Sequence, residues 1–339
     1  MSVENRKVTI RDVATSANVS IASVSLFLNN KPGLADETRD RIAQAISSLG
    51  YVRRRSAANT NARYIALLIE ALPFSPLSDM FYGEVIHGVD ASARELGYNI
   101  ALMIVQPNEV VPALLEQQNG GLAGVIMLGS GDISRGTIDA VLKEKLPAVL
   151  VDNCLPDLPM DCVLPDYVSG ANMATNYLLE QGYRRIAFLQ GASKYRSLVE
   201  RFRGYCTALI EAGMPVMPEL VRGYMSSGLP NKGYLEMKTL LESGEKFDAV
   251  FCVTDRTALG AFQALQEAHV RVPDDIAVIG FDNVAQASHT RPPLTTVNVP
   301  RHAMGEIAVR RLCALLDGQS AETPIKHLLY TDLVIRDSA

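Results

Sequence analysis

Residues 8–30, VTIRDVATSANVSIASVSLFLNN, hold two short apolar patterns of helical period with a break between them. Ile10, Val13, Ala14 and Ala17 recur at i, i+3, i+4 and i+7, so they share one face of a helix that Thr9 can cap. Asn18 tolerates the left-handed backbone that ends such a helix. Ser20 can cap a second one, in which Val24, Phe27 and Leu28 continue the buried stripe. That second helix turns Ile21, Ala22, Ser23, Ser25 and Leu26 outward, all small or apolar. Two helices joined by a tight turn form a helix-turn-helix, whose second helix offers its early residues to base edges. An αα-hairpin buried in a larger core shares this pattern; the basic, hinge-like sequence that follows favours DNA.

A third helix is expected from about Glu37 to Leu49, with Ile42, Ala45, Ile46 and Leu49 as its stripe and Gly50 ending it. Thr38, Arg39 and Arg41 lie on its polar side, where they suit either phosphate contact or plain solvation. Tyr51 and Val52 lead into Arg53, Arg54 and Arg55, three consecutive cations suited to backbone phosphate, which give affinity and salt dependence without reading sequence. Ser56–Ala62, SAANTNA, is small and polar and reads as a linker. Residues 1–63 hold ten Lys/Arg against five Asp/Glu, a net of +5; the rest of the chain holds 22 against 32, a net of −10. A basic head on an acidic body points to a polyanion partner for the head alone.

At 339 residues, 48% apolar and 20% charged, the chain suits two or three globular domains. No run approaches the roughly 18 apolar residues of a membrane span. MSVENRKVTIRD lacks the apolar core of a secretory signal, so a cytoplasmic location with no membrane partner is expected. Cys154, Cys162, Cys206, Cys252 and Cys313 are odd in number and widely spaced; buried free thiols are expected, and no metal or cofactor.

From Tyr64 strands alternate with helices. YIALLIE, NIALMIV, GVIMLG and PAVLVD are strands, separated by DMFYGEVIHGVDASARELGY, VVPALLEQQNGG and TIDAVLKEKL as helices. A second series runs from GANMATNYLLEQGYRRIAFLQG through ERFRGYCTALIEAGM, VRGYMS, NKGYLEMKTLLESG, AVFCVT and RTALGAFQALQEAHV to IAVIGFD. This order predicts an α/β body of two lobes with doubly wound parallel sheets, behind a small all-α headpiece. Ligands of such sheets sit beyond the carboxyl ends of the strands.

The headpiece, with ETRDRIAQAISSLGY after it, resembles that of the lactose-repressor (LacI) family of bacterial transcription regulators. GYRRIAFLQG, ERFRGYCTAL, VTDRTALGAF, PDDIAVIGFDN and RPPLTTVNVP extend the resemblance over almost the whole chain, and ERFRGYCTAL is nearest the maltose-regulon type of repressor. The resemblance implies a headpiece at 1–52, a hinge at 53–63 and an effector-binding and dimerisation domain at 64–339. It also implies the fold of periplasmic sugar-binding proteins, with three crossings between lobes at about 64–164 plus 294–325 and 165–293 plus 326–339. In the family the hinge becomes helical on operator DNA and wedges a leucine into the minor groove. Here Thr60 stands at the matching position, a poor wedge.

The DNA-contacting set implied is Thr9, Ser20, Ile21, Ala22, Ser23, Ser25, Leu26, Asn29, Thr38, Tyr51, Arg53, Arg54, Arg55 and Thr60. Leu26 stands where many relatives carry Arg, so thymine methyls rather than guanine edges suit this helix. For a polyhydroxylated effector, carboxylates accept hydroxyl protons, arginine donates in a fork, and aromatic rings cover the apolar faces. Asp152, Arg201, Asp255 and Asp282, with Glu70, Phe81, Tyr82, Tyr224 and Thr254, are the implied set, each with a plainer reading as a cap or surface group. Thr254 replaces the Asn of some sugar-binding relatives, and Leu128 ends a strand that can be polar elsewhere.

An enzyme and a secreted sugar carrier are the rival readings. His87, His269, His289, His302 and His327 are scattered, no GxSxG, HExxH or Walker loop occurs, and LGSGD at 128–132 lacks a following lysine. The headpiece and the absent signal argue against a carrier. The expected function is an effector-controlled, sequence-specific DNA-binding regulator, a repressor, that binds operator DNA at the nucleoid. TDLVIRDSA ends the chain without a heptad tail, so a homodimer is expected.

Overall fold

The structure is a computed structural model. It describes residues 10–28, 35–49, 63–70, 80–106, 121–129, 133–191, 195–223, 232–318 and 323–339. The chain divides into two compact units, Met1–Asn61 and Ala62–Ala339.

In the first unit α1 spans Ile10–Ser16, α2 Ile21–Leu28 and α3 Asp36–Leu49. Asn18 has φ 52°, the left-handed turn expected of it. The Ser23 amide donates to Ser20 Oγ at 3.0 Å, so Ser20 caps α2. Val13, Ala14, Ala17, Val24, Ile42 and Ala45 are buried together, with Val19, Phe27, Ile46 and Leu49 partly buried around them. The 3.6-residue stripes thus converge into one small core.

The second unit contains two six-stranded sheets. The first, in the order β11-β5-β4-β3-β1-β2, is parallel throughout: β1 Arg63–Glu70, β2 Tyr98–Val105, β3 Leu122–Leu128, β4 Ala148–Val151, β5 Cys162–Pro165 and β11 Lys326–Leu329. Helices α4 (Tyr82–Glu95), α5 (Arg135–Lys143) and α10 (Arg301–Leu316) belong to this lobe, and α4 packs along α10. Ile65 to Ile69 are all buried, as a strand covered on both faces requires.

The second sheet has the order β12-β10-β9-β8-β6-β7: β6 Ile186–Leu189, β7 Val221–Arg222, β8 Ala249–Cys252, β9 Ala277–Asp282, β10 Thr295–Asn298 and β12 Asp332–Val334. Helices α6 (Tyr167–Glu180) and α7 (Arg196–Glu211) pair on one face, and α8 (Lys232–Glu242) and α9 (Asp255–Glu267) on the other. The period-2 alternation of β-structure divides each strand between two cores. Ile186, Phe188, Phe251, Ile279 and Phe281 enter one; Ala187, Leu189, Val250, Cys252 and Val278 enter the other.

Several boundaries differ from those read in the sequence. β10 pairs with β9, so residues 295–298 belong to the second sheet and the chain crosses at Val299–Pro300, not at 293. The proline pair 292–293 imitates a linker, but Thr295 and Thr296 are fully buried because their polar atoms are satisfied inside the sheet. β11 pairs with β5, so 326–329 belongs to the first sheet and the last crossing follows it. β12 runs antiparallel to β10, the one exception to the parallel expectation among the described strands. α4 begins at Tyr82 rather than at Asp79. Most of the expected helix VVPALLEQQNGG lies outside the described residues. Of the five free cysteines, Cys154, Cys162 and Cys252 are buried, whereas Cys206 and Cys313 are half-buried.

Among the described residues, no helix is long and apolar enough to cross a membrane.

Candidate functional site

In the headpiece, α2 presents no charged side chain, since its sequence is IASVSLFL. Ile21 is 46% exposed, and Ser23, Leu26 and Thr38 are half-buried. Ser20 is exposed, yet its Oγ serves the α2 cap and lies 2.9 Å from Ser23 Oγ. These two hydroxyls therefore have an internal role besides any contact with phosphate. Ala22 and Ser25 are placed by their backbone alone. Thr9, Asn29, Tyr51, Arg53, Arg54, Arg55 and Thr60 lie outside the described residues.

In the second unit the strand ends bring charged groups together. Asp152 follows β4 with φ 63°, and Asp282 ends β9 with φ 121°; both sit where L-residues are strained, a feature that clusters at functional positions. Arg201 on α7 is 3% exposed. Its Nη2 pairs with Asp282 Oδ1 at 2.9 Å, and its Nη1 donates to the Val253 carbonyl at 2.8 Å. The guanidinium carbon lies 4.0 Å from the Phe281 ring centroid and 5.2 Å from that of Tyr167, so the cation is sandwiched by π faces. Arg201 Nε is buried without a hydrogen-bond partner among the described residues. Such an orphaned donor is costly unless a ligand oxygen meets it.

Asp152 accepts hydrogen bonds from Tyr82 Oη, at 3.3 Å, and from Tyr167 Oη. Tyr82 comes from α4 of the first lobe and Tyr167 from α6 of the second, so this carboxylate joins the lobes. Asp255, at the start of α9, accepts from the Val284 amide at 2.9 Å and from Thr296 Oγ1 at 2.5 Å. Gly280 makes room for it, because a Cβ there would stand 2.2 Å from Asp255 Oδ1.

The other expected residues fare unequally. Phe81 stacks edge-on with Tyr82 at 5.3 Å but lies before α4. Thr254 caps α9, accepting from the Thr257 amide at 3.1 Å, so its hydroxyl is already engaged. Glu70 is placed by backbone at the end of β1, and Tyr224 lies outside the described residues. Tyr167, Phe281 and Thr296 were not among the expected residues. The only signal for Tyr167 is its position, an aromatic directly after the Asp166 that caps α6.

Three carboxylates share one guanidinium in a nearly dry site. Burial pushes Asp152 up to about 7, against the opposing Tyr167 hydrogen bond and Arg201 charge. Burial, then the Asp282 charge, pushes Asp255 up to about 7 as well. Tyr167 is held well above its ordinary range by burial and by the Asp152 charge. An aspartate raised in the folded state keeps its proton between about pH 4 and 7, where the unfolded chain releases it. The stability it contributes therefore falls as pH rises through that window and levels off above it, by at most about 4 kcal/mol per carboxylate. Asp152→Asn should flatten this profile and raise the unfolding midpoint at pH 8. Urea denaturation at pH 5.5 and 8 measures it, and an unchanged pH profile counts against the assignment.

Comparison with known proteins identifies the family. The model for bacterial regulatory proteins of the lacI family matches residues 9–54, and that of the periplasmic binding protein-like domain matches 175–339. The HTH-type transcriptional regulator RegA of Clostridium saccharobutylicum is 32% identical over 97% of this chain and 98% of its own. The chain belongs to the lacI family. Another lacI-type relative, the HTH-type transcriptional repressor CytR of Escherichia coli K12, is 30% identical over 97% of this chain and 96% of its own. Among solved structures, the transcriptional regulator CelR–cellobiose complex aligns with TM-score 0.73 and 29% identity, covering 98% of this chain and all of that one. The lac repressor dimer bound to operator and the anti-inducer ONPF aligns with TM-score 0.71 and 25% identity, covering 98% and 99%. A lacI-family chain is a helix-turn-helix DNA-binding regulator with an effector-binding domain, and both parts are described above.

Proposed function

We propose that this lacI-family chain is a homodimeric, cytoplasmic repressor of a near-palindromic operator, and that a sugar or sugar derivative bound between its lobes controls operator affinity. The observation that carries the effector half is the Asp152–Arg201–Asp255–Asp282 cluster. It combines carboxylate acceptors, a fork donor with an orphaned Nε and aromatic faces, the set a polyhydroxylated ring needs. Asp152 is tied to both lobes, so a ligand that displaces Tyr82 or Tyr167 changes lobe closure. Closure couples to DNA only as far as the ligand prefers one state.

The DNA half rests on α2, capped by Ser20 with Ile21 exposed. Its uncharged face reads shape and thymine methyls, while Arg53, Arg54 and Arg55 supply phosphate affinity. Leu26→Arg adds a guanine-reading fork. In a selection from random DNA it is expected to shift one position of each half-site toward G·C, by about 1–3 kcal/mol of discrimination. An unchanged consensus sinks the assignment of α2 as the reader.

A further inference from the structure

A cavity of about 340 Å³ opens between the lobes, and none of Asp152, Arg201, Asp255 and Asp282 lines it. Met80 and Glu84 form one wall, and Asn283, Ser288 and Arg336 another, with Arg301 between them. Arg301 is the first residue of α10. Its Nη1 donates to the Met80 carbonyl at 2.8 Å and its Nη2 to the Asn283 carbonyl at 2.7 Å. Arg336, just past β12, donates from Nη1 to the Leu294 carbonyl at 2.6 Å and from Nη2 to Asn283 Oδ1 at 2.7 Å. Two guanidinium groups thus flank a single residue, Asn283.

Every acceptor these two arginines use is neutral. Among the described residues no carboxylate lies within salt-bridge distance of either, although both are half-buried. Each guanidinium has five N–H donors, of which two are engaged. Arg301 Nε is buried and meets no acceptor among the described residues. Elsewhere in the same domain buried arginines have carboxylates: Arg201 has Asp282 at 2.9 Å and Arg311 has Asp161 at 2.7 Å. Among the described residues the pair at the cavity has no carboxylate at salt-bridge distance, the partner a partly dry site calls for. The volume falls within the range of small-molecule sites.

We propose that this cavity binds a small oxyanion-bearing molecule, a phosphate monoester in particular, at a site separate from the sugar cleft. Its oxygens would accept the free donors of Arg301 and Arg336 as charge-assisted hydrogen bonds. Arg301 already spans Met80 of the first lobe and Asn283 of the second, so the anion holds the lobes in their present relation. The exposed Glu84 at the wall opposes it by like charge.

Inorganic phosphate and glycerol 3-phosphate are the probes, titrated into the full-length protein at constant ionic strength against chloride, with binding read by calorimetry and by the thermal midpoint. Saturable binding is expected, with glycerol 3-phosphate at least as tight as phosphate. Arg336→Gln should weaken it about tenfold or more. Glu84→Gln, an exposed change that leaves every described hydrogen bond intact, should tighten it about two- to fivefold. The response to sugars should be unchanged in both variants, which separates this site from the Asp152–Arg201–Asp255–Asp282 cluster. Absence of saturable binding in the wild type overturns the proposal. So does binding that neither variant alters; if Arg336→Gln fails to fold, Glu84→Gln alone decides.

Discussion

Arg201→Ala is expected to abolish the effector response and to destabilise the effector domain by about 3–5 kcal/mol, the cost of removing one partner from a buried ion pair. The residue is 3% exposed and is the cation that Asp282 meets at 2.9 Å in a site with two further carboxylates. Its removal takes the Arg201 charge from buried Asp282 and opens a gap beside the Phe281 and Tyr167 rings. At about 2–4 °C per kcal/mol for a domain of this size, the thermal midpoint should fall by roughly 10 °C. Stability and recognition can be separated. Arg201→Met with Asp282→Asn removes both charges, and asparagine tolerates the positive φ at 282. That double variant should recover most of the stability and none of the ligand response. A single Arg201→Ala protein that still shows the full wild-type shift with sugar would remove the cluster from the effector site.

Val24→Asp is expected to lower operator affinity by about a hundredfold or more while leaving the effector response of the second unit intact. Val24 is fully buried in a small core that has six buried residues among those described, shared among α1, α2 and α3. An unpaired carboxylate there costs several kcal/mol of desolvation, comparable with the whole stability of so small a unit. Val24→Ala keeps the core apolar and should weaken binding far less. Fluorescence anisotropy on promoter DNA measures the first effect and thermal shift with a sugar panel the second. Equal loss of both responses in Val24→Asp would mean that the two units do not carry separate functions.

Much of this architecture is legible in the chain because local chemistry and tertiary environment agree. The 3.6-residue stripe of α1, the left-handed Asn18 and the Ser20 cap each act over a few residues, and all three take the form their side chains favour. The central strands β1, β3, β4, β6, β8 and β9 are readable for the same reason, as apolar runs covered on both faces. What escaped is decided by partners distant in sequence. β10 carries two threonines and follows a proline pair, so nothing local marks it as a buried strand. Thr296 becomes tolerable there only because Asp255, 41 residues earlier, accepts its proton. β11 is assigned by pairing with β5, far back in the chain. Tyr167 belongs to the site only because its hydroxyl donates to Asp152, 15 residues earlier in the chain. Thr254 shows how a local role adds to one suggested by family position: its hydroxyl caps α9 whether or not a ligand meets it.

The most direct measurement of the central claim is the operator affinity of the intact protein as a function of salt, with and without a sugar that stabilises the effector domain. If three consecutive arginines in each subunit of a dimer meet phosphate, log affinity should fall with log salt at a slope of roughly −5. Saturating sugar should change the affinity by a factor of about 5 to 150. The same factor should appear when sugar affinity is measured on free and DNA-bound protein, because binding linkage is reciprocal. Salt-insensitive binding, or operator affinity unmoved by every sugar that stabilises the protein, would contradict an effector-controlled DNA-binding regulator.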